Sequence, residues 1–149
     1  MTQVQTTDKK VVALPAKEKE VGAPSKPGEW TLRQVEEALS RRLPQSYLKS
    51  KKIGGQNIVF IEWHTANKIL SKYAPGWTWE VRSVQVVAVA VTVIGRLTVP
   101  TADGPVFREA TGYQDLDGSG YGNAVNSAEA SAFKRCGAKF GLGLYLYEK

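Results

Sequence analysis

From residue 30 onward the apolar positions recur with two different periods, and each period predicts its own kind of element. In "EWTLRQVEEALSRRL", Trp30, Leu32, Val35, Leu39 and Leu43 fall at helical spacing. Thr31 stands where a capping hydroxyl is wanted, and Pro44 ends the pattern. "WHTANKILSKY" carries one stripe of Trp63, Ala66, Ile69, Leu70 and Tyr73, and "APG" stops it. Between these helices, "SYLKSKKIGGQNIVFIE" offers basic residues, a Gly-Gly turn and a short strand around Ile58 to Ile61. "WTWEVRSVQVVAVAVTVIGRLTVP" is too rich in Thr, Val and aromatics for a comfortable helix. It predicts one long strand or two joined by a bend, with Gly95 as a candidate bulge. "TADGP" turns the chain and "VFREATGYQDL" returns as the next strand.

The glycine-rich "DGSGYGN" then leads into "SAEASAFKRCGAKFGLG", residues 127–143. On a helical wheel Phe133, Cys136 and Phe140 share one face, with Glu129 one turn earlier. Ser127, Ser131, Lys134, Arg135, Ala138 and Lys139 take the opposite arc, which holds three cations and no acid. A solvated face usually mixes signs to gain i,i+4 pairs. Asn126 and Glu129 have the N-x-x-E spacing of a helix start. "LGLYLYEK" alternates Leu and Tyr and reads as a core or edge strand, with base stacking by Tyr145 and Tyr147 as the lesser alternative. The order of helix, strand, helix, antiparallel strands and helix predicts an α+β fold. Val84, Val86, Ala88 and Ala90 alternate with Val87, Val89, Val91 and Val93, so both faces of this stretch are apolar. Either the domain sandwiches it, or a neighbouring subunit covers one side. Residues 1–28 lack periodicity and read as a disordered arm, leaving residues 29–149 as the folded domain.

Composition narrows the function. Twenty Lys and Arg against 14 Asp and Glu give a formal charge of +6, which suits an anionic partner such as nucleic acid. One cysteine makes no internal disulfide, and there is neither an apolar run long enough to span a bilayer nor a signal-peptide core. A cytoplasmic, nucleoid-associated protein is the resulting expectation. Enzymatic chemistry has little to work with. His64 and Cys136 are the single residues of their types, and Cys136 lies on the apolar face of its helix. No zinc spacing, phosphate loop or dinucleotide fingerprint occurs, so no cofactor and no small-molecule substrate is expected. Asp115, Asp117, Ser119 and Gly120 echo the start of a calcium loop, but Asn126 stands where a bidentate Glu is needed. A flexible Asp-Gly turn accounts for them, and no metal site is expected.

The cations fall into two groups. Arg41, Arg42, Lys49, Lys51 and Lys52 surround the end of the first helix and the turn after it; Lys134, Arg135 and Lys139 lie on the last helix. Gly118, Gly120 and Gly122 let backbone approach a ligand ahead of a helix N-terminus, where N–H groups favour phosphate; a loop with no ligand is the alternative. Cations in a line, aimed at phosphates rather than base edges, are what a protein tracking a polynucleotide backbone requires.

Taken together, "FIEWHTANKILSKYAPGWTWEV", the Val-rich strand, an Asp-Gly turn and "ATGYQDLDGSGYGNAVNSAEASAFKRCGAKFG" resemble the single-strand annealing domain of the Rad-fifty-two type, with its bacterial and phage (DdrA-like) branch as the closer comparison. The resemblance covers residues 30–149 and is strongest over 108–147. It implies a β-β-β-α core whose protomers associate side by side into rings or filaments. It also implies a positive groove that holds single-stranded DNA by its backbone while complementary strands anneal in recombinational repair. Protection of DNA ends without annealing is the alternative activity. By the same resemblance Lys134 and Arg135 match the family's phosphate-gripping Lys-Arg pair, and Lys139 follows one turn later. Thr65 stands where the family often has a DNA-contacting arginine, with Lys68 one turn on as a substitute.

Overall fold

The computed structural model describes residues 22–116 and 120–148. In it the first helical stripe condenses into α1, Leu32–Leu39. Thr31 caps it through a reciprocal box. Its Oγ1 accepts from the Gln34 amide at 3.2 Å, and the Gln34 side-chain oxygen accepts from the Thr31 amide at 2.9 Å. The helix stops short of Pro44 because tertiary contacts take over. The Leu43 amide donates to the Tyr145 hydroxyl at 3.0 Å, and Gly141 lies so close to Ser40 that a β-carbon there would strike its hydroxyl.

A basic strand that the hydrophobic pattern gave no hint of follows. Strand β1, Lys49–Ile53, pairs antiparallel with β2, Gln56–Phe60, around Gly54 and Gly55. Both glycines have positive φ, the left-handed conformation that such a two-residue turn needs. Helix α2 is Trp63–Tyr73 as expected. Strands β3 (Thr78–Val87), β4 (Ala90–Val99) and β5 (Val106–Asp115) form one antiparallel sheet in that order. The Val-rich run is therefore two strands. The bulge lies across from Gly95 rather than at it: Val81 pairs with Gly95 and Ser83 with Ile94, so Arg82 is the extra residue.

Helix α3, Tyr121–Lys139, lies across β4 and β5. On β4 every second residue faces it; Val91, Val93, Leu97 and Val99 are completely buried. Ala124, Ala128 and Ala132 form the facing stripe, spaced by four, which lets the helix backbone approach the sheet. Contact is closest at Gly112 of β5, where a β-carbon would collide with the Ala128 carbonyl and the Ala132 amide. Phe133, Cys136 and Phe140 close the larger core against α1, α2 and Leu97, as their shared face predicts. Trp79 lies edge-on to Phe133 at 5.1 Å, over Gly95, and donates its indole N–H to Glu129 at 2.9 Å.

Two expectations change here. Asn126 does not cap α3, which begins five residues earlier with Gly120 in the cap position, so Glu129 is free to serve Trp79. Leu144–Tyr147 is a 3-10 turn, not a strand. The reason is the ending of α3. The Leu142 amide bonds the Gly137 carbonyl and the Gly141 amide bonds the Ala138 carbonyl, with Gly141 at φ 111. That is a Schellman ending, and Gly143, also left-handed, turns the chain again before it could extend. Of the expected arm, residues 1–21 lie outside the described residues, while Pro27 packs against Gly76. No helix among the described residues is long and apolar enough to cross a membrane.

Candidate nucleic-acid interface

The basic hairpin bends back onto α3, and the two elements meet over one aromatic ring. Lys51 Nζ lies 5.0 Å from the centroid of Phe60, and Lys134 Nζ lies 5.2 Å from it. Lys134 also donates to the Ile61 carbonyl at 3.0 Å. Burial, and then the neighbouring Lys51 charge, hold the Lys134 ammonium below the usual lysine pKa; Glu62 opposes this only as the smallest influence. Two like charges are thus held together without a carboxylate bonded to either among the described residues.

Beside this pair runs a groove of about 570 Å³, lined by hairpin residues Lys51, Ile58 and Phe60, by Ser127, Ser131 and Lys134 of α3, and by Tyr113 and Tyr147. Tyr147 also lines a shallower hollow with Arg135, Lys139 and Leu144. Through Tyr147 the two recesses adjoin, so the cations of α3 border a path from the hairpin to the helix C-terminus. Arg135 and Lys139 are exposed along it. Lys49 shares the Lys51 face of the hairpin by strand alternation, while Lys52 shares the other with Asn57 and Val59. Gly120 and Gly122 lie at the start of α3, with open space where their side chains would be. Gly118 is outside the described residues. Arg41, Arg42 and Lys68 are not in this groove: they line a separate cavity between α1 and α2, together with Thr65.

The other candidate chemistries are placed elsewhere. Cys136 is fully buried, and burial pushes its thiol up to about 11, so it stays a neutral core residue. His64 is exposed beside Glu62 at 3.4 Å and packs edge-on against Trp63. Among the described residues no three His, Cys, Asp or Glu side chains cluster as metal ligands, and Asp117 and Ser119 of the calcium-like loop fall outside them. On the other flank of α3 lies a cleft of about 430 Å³ walled by Trp63, Trp77, Trp79 and Phe133; it contains no cation.

Residues 31–149 match the family described as Rad52/22 family double-strand break repair protein. The chain belongs to the Rad52/22 family. It is 42% identical over 120 residues to the DNA repair RAD52-like protein 1, mitochondrial, of Arabidopsis thaliana, a match covering 79% of this chain and 68% of the relative. It is 41% identical over 115 residues to the DNA repair RAD52-like protein 2, chloroplastic, of the same plant, covering 74% and 58%. Two expectations are corrected by these relatives. Kinship to the bacterial and phage branch is not supported, since both relatives are plant proteins. The cytoplasmic, nucleoid-associated location conflicts with relatives named as mitochondrial and chloroplastic.

In this Rad52/22 member the residues that escape the sequence pattern are Phe60 and Tyr113, while Tyr147 enters it only as the lesser, base-stacking alternative. Phe60 reads as an ordinary strand residue, and only its alternation with Ile58 across the Gly-Gly turn could have placed it opposite Lys49 and on the Lys51 face. Tyr147 reads as a strand residue until the two turns after α3 place it between the recesses.

Proposed function

We propose that this protein is an oligomeric single-stranded DNA binder that anneals complementary strands during recombinational repair, with the DNA backbone lying along the groove between the hairpin and α3. The observation that carries this reading is the pairing of Lys51 and Lys134 over Phe60. A cation whose charge is already disfavoured by burial and by a like neighbour is stabilised most by an incoming anion, and a phosphodiester supplies one. Arg135, Lys139 and Lys49 extend the positive border. Gly120 and Gly122 leave the start of α3 open to a phosphate oxygen. The exposed rings of Tyr113 and Tyr147 offer faces to bases or sugars. None of these groups reads a base edge, so binding is indifferent to sequence, and bases remain free to pair.

The sheet supports the assembly. Its order leaves the outer edges of β3 and β5 unpaired among the described residues. β3 and its turn expose Val81, Val84, Val86, Val87 and Val89. A ten-residue strand edge whose second half carries exposed valines is a template for another chain, and joining unlike edges head to tail produces a ring or filament. Repetition then turns a few phosphate contacts per subunit into continuous tracking.

The test mixes two complementary labelled oligonucleotides and times their pairing with and without protein, while light scattering gives the mass of the free and DNA-bound protein. Acceleration that falls with salt, together with a multimeric mass, is the expected result. Tight binding without acceleration would favour end protection, and a monomer with and without DNA would remove the repeating groove.

A further inference from the structure

The cavity between α1 and α2 is a second site of positive charge, and it shares no lining residue with the groove. It has a volume of about 700 Å³, and four cations line it: Arg41, Arg42, Lys68 and Lys72. No acid lines it, and none of the four forms an ion pair among the described residues. Position at the ends of helices accounts for part of this, since cations there complement the carbonyl dipoles. It does not account for Arg41. That guanidinium lies 5.5 Å from the centroid of Tyr73, and its Nη2 is buried with no hydrogen-bond partner. Lys72 approaches the same ring at 5.2 Å. A buried N–H donor without an acceptor is destabilising, and such groups in folded proteins call for an explanation. Thr65, Ser46 and Tyr47 add hydroxyl donors to the same walls.

We infer that this cavity is a phosphate-binding site independent of the Lys51–Lys134 groove, in which the Arg41 guanidinium donates to a phosphate oxygen and Lys68 and Lys72 neutralise its charge. A planar guanidinium with hydroxyls around it and no competing carboxylate suits a tetrahedral oxyanion. The volume accepts a group the size of one nucleotide. The phosphate belongs either to a DNA strand or to a free phosphate monoester. The DNA source rests on the function proposed above; the anion site does not.

The experiment separates the two. Thermal stability is followed in inorganic phosphate against chloride at equal ionic strength, for the full chain and three variants: Arg41→Met, Lys68→Gln with Lys72→Gln, and Lys134→Ala. Phosphate is expected to raise the melting temperature of the unaltered chain and of Lys134→Ala, and to lose that effect in the two cavity variants. The lysine pair is exposed, so its replacement tests the site even if Arg41→Met folds poorly. Equal stabilisation of all four proteins, or loss of the effect in Lys134→Ala, would overturn a separate site. In the second arm, oligonucleotide affinity is measured across salt. If DNA supplies the phosphate, the cavity variants reduce the slope of log affinity against log salt by about 1 per cation removed. A phosphate response with an unchanged slope would overturn the DNA source and leave the free monoester.

Discussion

Changing Lys51 and Lys134 together to alanine is expected to lower affinity for single-stranded DNA by about 100-fold at low salt, roughly tenfold for each charge-assisted phosphate contact removed. The single changes should each have a smaller effect than half of that in free energy. Removing Lys51 relieves the repulsion that depresses Lys134, so the remaining cation binds phosphate from a less strained starting point. The non-additivity is the informative part, because two independent surface lysines would add. The ammonium of Lys134 also lies over the Phe60 ring and bonds the Ile61 carbonyl, so a Lys134→Met control, which keeps an unbranched side chain, separates lost bulk from lost charge. Anisotropy of a labelled oligonucleotide reads all four states. A double variant that binds within about threefold of the unaltered chain would show that the pair is not a phosphate contact.

Gly112→Ala is expected to destabilise the fold by at least about 3 kcal/mol, lowering the melting temperature by roughly 10 °C. At this crossing the added methyl meets backbone on α3, the Ala128 carbonyl and the Ala132 amide, rather than a side chain that could rotate away. Relief would require α3 to lift from β5, opening the small-residue contact of Ala124, Ala128 and Ala132 with Val91 and Val93. Because α3 also carries Lys134, DNA binding should fall with it. Gly122→Ala is the control. Gly122 lies in the first turn of the same helix with open space around it, so its change should be neutral or stabilise by up to about 1 kcal/mol. Circular dichroism melts compare the two, and similar behaviour at both positions would contradict the crossing geometry.

The parts of this fold that were legible in the sequence are those governed by local periodicity. The stripe from Trp63 to Tyr73 became α2 with its ends as read, and Phe133, Cys136 and Phe140 entered the core together. What escaped was governed by contacts far apart in the chain. "KSKKI" has no hydrophobic alternation, and becomes a strand only because β2 pairs with it across the Gly-Gly turn. The start of α3 at Tyr121 looked like loop because glycines disfavour helix, a preference overridden by docking of the helix onto the sheet. The Leu-Tyr alternation suggested a strand, yet the left-handed glycines on either side of Leu142 decide the path. The site shows the same division. Lys134, Arg135 and Lys139 stood out as an acid-free helical arc, but which of them is buried against Phe60 depends on where the hairpin folds back. Arg41, Arg42 and Lys68 read as part of one basic surface, and the structure sets them in a cavity of their own.

The most direct measurement of the central claim is the titration of Lys134 itself, followed by carbon NMR of protein labelled at the lysine ε-position, free and saturated with oligonucleotide. In the free protein Lys134 should titrate below the ordinary lysine range, and DNA should raise it. Between the depressed value and the ordinary one the unfolded chain holds more protons than the folded chain, so stability rises with pH across that window. Affinity for DNA falls across the same window as the ammonium is lost, and the opposite signs mark Lys134 as a cation kept for an anion. A Lys134 resonance that titrates as an ordinary lysine in the free protein, or that does not move when DNA is bound, would contradict the account.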